Sequence, residues 1–172
     1  MLPVLSRLAL LLPVLLLAPA CSTPTPTTTH PAAPYPPDFA AALLIRHPNP
    51  TPDTPEHLRP SLSLIQPDRT LRAATGPGTH LNLFPRPSAT LPPDALAHLY
   101  QQLADAQLFD PTPTHASIPP NTPTLTARIT AHRHVHRRTI PLTDDHPHAL
   151  AVAHTLTDLR TTHHTPTSRQ NR

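Results

Sequence analysis

The chain has 172 residues, 37% hydrophobic and 3% aromatic, with a formal charge of +3 when its 14 histidines are neutral. Once an export signal is set aside, that leaves room for one modest core and excludes a second. All 13 basic residues are arginines and no basic stripe is interleaved with aromatics, so no nucleic-acid partner is expected.

The amino terminus reads "MLPVLSRLALLLPVLLLAPAC". One positive side chain, Arg7, precedes an apolar run from Leu8 to Leu17 and then small residues, the layout of a secretory signal. The run is shorter than the roughly 20 apolar residues a spanning helix needs and contains Pro13, so cleavage is expected rather than retention. The only cysteine, Cys21, follows "LAPA", which resembles the lipobox of bacterial lipoproteins; Leu17, Ala18 and Ala20 carry the likeness. The resemblance implies acylation of the Cys21 thiol and cleavage on its amino side. The alternative is ordinary cleavage after Ala20, which leaves an unpaired thiol in an oxidising compartment. Ser22 after the cysteine resembles the pattern of lipoproteins passed on to the outer membrane. These features give a signal peptide over 1–20 and a Thr/Pro tether over 21–37, "STPTPTTTHPAAPYPP" after the cysteine, extended or glycosylated.

A single α+β domain is expected over 38–160, with a small antiparallel sheet of about five strands packed against two helices. "DFAAALLIRH" (38–47) is a strand candidate, followed by a proline-broken loop. "SLSLIQPDRTLRAAT" (61–75) alternates twice around Pro67-Asp68 and predicts a hairpin, with Pro67 at the second position of a type I turn. Both glycines fall in "GPG" (76–78), where the backbone is expected to need positive φ. "LPPDALAHLYQQLADAQLFD" (91–110) predicts a helix opened by Pro93 and Asp94, with Leu96, Leu99, Tyr100 and Leu103 on one face. "TLTARITA" (124–131) and "HVHRRTIPL" (134–142) predict a second hairpin. "HPHALAVAHTLTDLR" (146–160) closes the domain as a helix that buries Ala149, Val152, Leu156 and Leu159, and 161–172 is expected to be a frayed tail.

In order, "QPDRTL", "LPPDALAHLYQQLADAQLFD", "TLTARITAHRH" and "HPHALAVAHTL" resemble the hairpin, helix, hairpin, helix run of small α+β domains in uncharacterised bacterial envelope proteins. Arg69 stands where that family has glycine in its first turn, and Ala131 to Arg133 where the second has one. The resemblance implies a fold and no activity.

The chemistry worth weighing lies in "TAHRHVHRR". On an extended strand His134 and His136 share a face and could hold one metal ion, with a third ligand required from His146, His148 or His154. The abundant residues of this chain (Pro, Thr, Ala, His, Leu, Arg) share cytosine-rich codons, so the histidines have a compositional cause, and solvated histidines on an outward face are the expectation. Asp144 and Asp145, just before the last helix, are expected to cap it rather than to form a catalytic pair. No nucleophile elbow or phosphate-cradling glycine loop occurs, so neither an enzyme nor a cofactor is expected. The expectation is a lipid-anchored envelope protein on the outer membrane, facing periplasm or surface, that acts as a binding or structural module. Its partners would be the membrane, through Cys21, and an unidentified envelope protein or polymer. The alternative is a periplasmic zinc, copper or nickel binder using His134 and His136.

Overall fold

A computed structural model describes residues 34–110 and 117–163. Six strands form one antiparallel sheet: β1 (Ala40–Arg46), β2 (Ser61–Ile65), β3 (Thr70–Thr75), β4 (Pro87–Thr90), β5 (Thr124–Ala131) and β6 (His134–Pro141), in the spatial order β4-β3-β2-β1-β5-β6. Two helices, α1 (Pro93–Asp105) and α2 (Pro147–Thr162), pack together over one face of it. The class is α+β, with one strand more than the sequence suggests. β4, "PSAT", is too short and too polar to register as a strand pattern. It is recruited by β3 through a bulge at Leu71/Arg72, where Ser88 Oγ accepts the N–H of Ala73 at 3.1 Å.

β1 is the apolar centre because it pairs on both sides, with β2 and with β5. Its Ala41, Leu43 and Ile45 face the helices alongside Leu125, Ala127 and Ile129 of β5. Leu96, Leu99 and Leu103 of α1 and Ala149, Val152, Ala153, Leu156 and Leu159 of α2 close the same core. The helical spacing of these residues is why the helices lie flat on the sheet.

In β2 the apolar residues divide between the two faces. Ile65 pairs with Leu71 and sits in the core, so the two-residue period carries Ser63 and Ser61 to the helix side and sends Leu62 and Leu64 to the other. Both serines are 1% exposed, and their hydroxyls find no partner among the described residues. A buried hydroxyl left so costs about 1–3 kcal/mol. The alternation was legible in the sequence; the turn at Gln66–Arg69 decided which half of it faces the core.

α1 stops earlier than its apolar pattern suggests. Gln107 takes φ 55°, its N–H bonds to Ala104 O at 2.8 Å, and Leu108 N–H reaches back to Leu103 O at 3.0 Å. This is a Schellman stop with glutamine where glycine is usual, fastened by the burial of Leu103 and Leu108. α2 begins at Pro147 with no side-chain cap, so Asp144 and Asp145 do not cap it as expected; His146 occupies the N-cap, its Nδ1 3.2 Å from Thr143 Oγ1. Gly76 has φ 114°, as the sequence suggested, whereas Gly78 does not have positive φ.

The few aromatic residues are spent almost entirely on one contact chain. Tyr35, Phe39, Tyr100 and Phe109 follow one another at centroid distances of 6.2, 5.1 and 5.1 Å, and Phe109 ends edge-on against His136 at 5.5 Å. The series ties the entry to β1, α1 and β6 together.

Candidate functional site

The "HRHVH" stretch is the turn and first half of β6. His132 (φ 52°) and Arg133 (φ 64°) form the two-residue turn between Ala131 and His134, with both φ angles positive as a type I′ turn requires. The carboxylate of Asp38 accepts both turn N–H groups, His132 N at 3.0 Å and Arg133 N at 2.6 Å. These bonds, the one from Arg133 foremost, hold the Asp38 carboxyl below its ordinary pKa of 3.8.

His134 and His136 alternate on one face of β6, opposite Ala131 and Ile129. That face is the helix side rather than the outward one. His134 is exposed, while His136 is half-buried by its contact with Phe109. Beside it, Arg138 donates to Gln107 O at 2.8 Å and lies 3.4 Å from the Asp110 carboxylate. Of the residues that could complete a metal shell, His146 is the N-cap of α2, His148 is exposed in its first turn, and His154 stacks on His57 at 3.7 Å. Among the described residues no group of three or more His, Cys, Asp or Glu side chains is placed to hold a metal ion. Cys21 lies outside the described residues.

The histidine stack belongs to a polar corner that the sequence did not reveal. The 3-10 turn Glu56–Leu58 lies against α2, beside a cleft of about 340 Å³ lined by Glu56, Arg59, Ser61 and Arg160. Burial, and then the charge of His154, hold His57 below its usual 6.5. Burial also lowers Arg160, against the pull of Glu56. Arg160 lies in the last turn of α2, where a cation complements the helix dipole, and Glu56 further offsets its charge, so the corner reads as an internally balanced support for α2.

The second face of the sheet has a different character. None of the ten Asp and Glu residues lies in a strand; all are in turns, loops and helices. The strands carry Arg46, Arg72, Arg128, Arg137 and Arg138, of which only Arg138 points to the helix side, since it pairs with the buried Ala127. Arg72 pairs with Leu64, and the Gly76–Arg86 connection returns over it: its guanidinium donates to Pro85 O at 2.9 Å and sits 4.3 Å from the centre of the Phe84 ring. On the half of the face built by β1, β5 and β6, Leu44 is buried against Leu62 of β2, while the arginines stand exposed. The cross-strand rows of this half are Ala40-Thr130-Val135, Ala42-Arg128-Arg137, Leu44-Thr126-Thr139 and Arg46-Thr124-Pro141. Arg46, Arg128 and Arg137 are exposed, and their side chains make no hydrogen bond or ion pair with other described residues. The two large apolar side chains exposed among the described residues, Phe84 (66%) and Val135 (54%), lie on this same face. No single-residue motif announces this surface, because it is an arrangement of separate strands.

The described residues therefore form a small α+β domain with an open six-stranded sheet, helices on one side and, on the other, a face whose strands carry arginines and no acid. No protein-family model matches the chain, and no curated protein matches it.

Proposed function

We propose that the protein is a bacterial lipoprotein, anchored through Cys21, whose α+β domain serves the cell envelope as a binding or structural module rather than as an enzyme. The observation that carries this reading is the lone cysteine directly after "LAPA", at the end of the apolar run from Leu8 to Leu17. A structural or redox role for a single thiol would need a partner, and the chain has no second cysteine. The Thr/Pro segment over 21–37 supports the reading by its length and position, since β1 opens at Ala40, just beyond it. Several acyl chains at about 0.8 kcal/mol per buried methylene make such an anchor lasting, where a single chain would be marginal. No described helix is long and apolar enough to cross a membrane.

The decisive experiment is Cys21→Ser followed by fractionation under high-salt washing, which strips proteins held by charge alone. The native protein should stay with the membranes and carry the mass of its acyl groups, whereas the variant should be released. Equal retention of the two would remove the anchor from the account.

A further inference from the structure

We propose that the arginine-bearing sheet face opposite the helices is a docking surface for an anionic phospholipid bilayer, through which the domain lies down on the membrane that holds its anchor; in this respect the inference rests on the lipoprotein reading. Two independent features of the face point the same way. The first is charge. Arg128 and Arg137 are direct cross-strand neighbours, a like-charge pair that weakens a sheet unless something neutralises it, and no carboxylate lies on any strand to do so. Arg46 adds a third guanidinium four residues along, about 13 Å away at strand spacing. Between them lie Ala42, Thr126 and Thr139 and the buried Leu44, while the three guanidinium-bearing residues are themselves exposed and accessible to phosphates.

The second feature is apolar. Val135 and Phe84 are the two large hydrophobic side chains that the described residues leave in water, and they flank the arginine field on the same face. Cations beside exposed apolar side chains form a surface that gains from phosphate contact and from shallow burial together. A purely polar polyanion would use the first feature and leave the second unexplained. The acids of the helix side, Asp94, Asp105 and Asp158 among them, are repelled by the same bilayer, so the charge separation across the domain fixes which face turns down. The tether holds the face at high effective concentration over the lipid, so a weak intrinsic affinity suffices.

The test uses the full-length mature protein on vesicles, with one cysteine introduced as Val135→Cys and labelled with an environment-sensitive fluorophore; acylation blocks Cys21. A control carries His98→Cys, exposed on α1. On phosphatidylglycerol-rich vesicles the label at 135 should brighten and be quenched by spin labels within the bilayer, and the label at 98 should not. Phosphatidylcholine vesicles or high salt should abolish the signal. Arg128→Gln and Arg137→Gln should each weaken docking about fivefold without lowering the melting temperature, since they remove a repulsion. A label at 135 that ignores phosphatidylglycerol overturns the proposal, and protection by soluble dextran sulfate in place of lipid would assign the face to an anionic polymer. Failure of the anchor shows separately, as labelling of Cys21 in the otherwise native chain. In that event the same lipid comparison is made on a Cys21→Ser background, with the same outcomes deciding.

Discussion

The β2–β3 and β5–β6 hairpins both turn without glycine, and each is held by an aspartate, but the aspartates come from opposite ends of the scale of sequence separation. In the first, Arg69 takes φ 68°, its N–H closes on Gln66 O at 2.9 Å, and Asp68 accepts the N–H of Thr70 at 3.0 Å. In the second, His132 and Arg133 both take positive φ, and the carboxylate beneath them belongs to Asp38, 94 and 95 residues away. A local carboxylate can hold its turn before the rest of the chain has folded. The distant one acts only once β1 lies beside β5, so the strained turn and the central pairing of the sheet depend on each other.

The strongest test of that difference is to remove each carboxylate. Asp38→Ala should give the larger fall in melting temperature and should speed hydrogen exchange at His132 and Arg133 as well as along β5–β6, while Asp68→Ala should speed exchange at Thr70 with a smaller fall. An Asp68 variant as damaging as the Asp38 variant would mean that sequence distance is immaterial here. The pH dependence follows from the same groups. Asp38 has a folded pKa below 3.8, so its contribution is complete above 3.8 and is lost as the pH falls through the lower folded value. The gap between the native chain and Asp38→Ala should therefore narrow in acid, and denaturant titrations across that range check it.

A more moderate effect is expected from restoring glycine. Arg69→Gly and Arg133→Gly relieve a left-handed backbone that costs an L residue about 1–2 kcal/mol, against about 0.5–1 kcal/mol of added freedom in the unfolded chain, so each should stabilise by up to about 1.5 kcal/mol. If Asp38 restrains the strained turn, Asp38→Ala should cost less in the Arg133→Gly background than alone, a coupling that a double-mutant cycle measures. The parallel cycle of Asp68 with Arg69 should show the same sign within a single turn.

The smallest effect lies away from both hairpins and serves as a control on the acid experiments. His57 is held below 6.5, so the fold favours its neutral form, and stability should decline as the pH falls from 6.5 through the folded value. His154→Gln should raise the His57 pKa towards 6.5 and flatten that decline while leaving the behaviour below 3.8 untouched. NMR titration of His57 reads the shift directly.

Much of the architecture could be read before the structure because it follows from local periodicity. The apolar run of β1, the alternation of β5 and the helical spacing of Leu96, Leu99 and Leu103 each specify an element through the face it must bury. Pro67-Asp68 and the prolines opening both helices act within a few residues, so they too were legible. What escaped was whatever needs a partner far along the chain or a residue that composition has displaced. In a chain with two glycines, Arg69, Gln107, Asn121, His132 and Arg133 take the positive φ that glycine usually marks, and so the end of α1 and the geometry of both turns lost their signal. His136 reads as a ligand beside His134, yet its environment is set by Phe109, 27 positions away in sequence. The proposed lipid anchor rests on a contiguous stretch ending at Cys21 and so on the sequence alone, since acylation and export read a short segment of chain. The arginine-bearing face exists only after six separated strands are laid side by side, because charge patterning across a sheet is a property of register and strand order, which no single segment encodes.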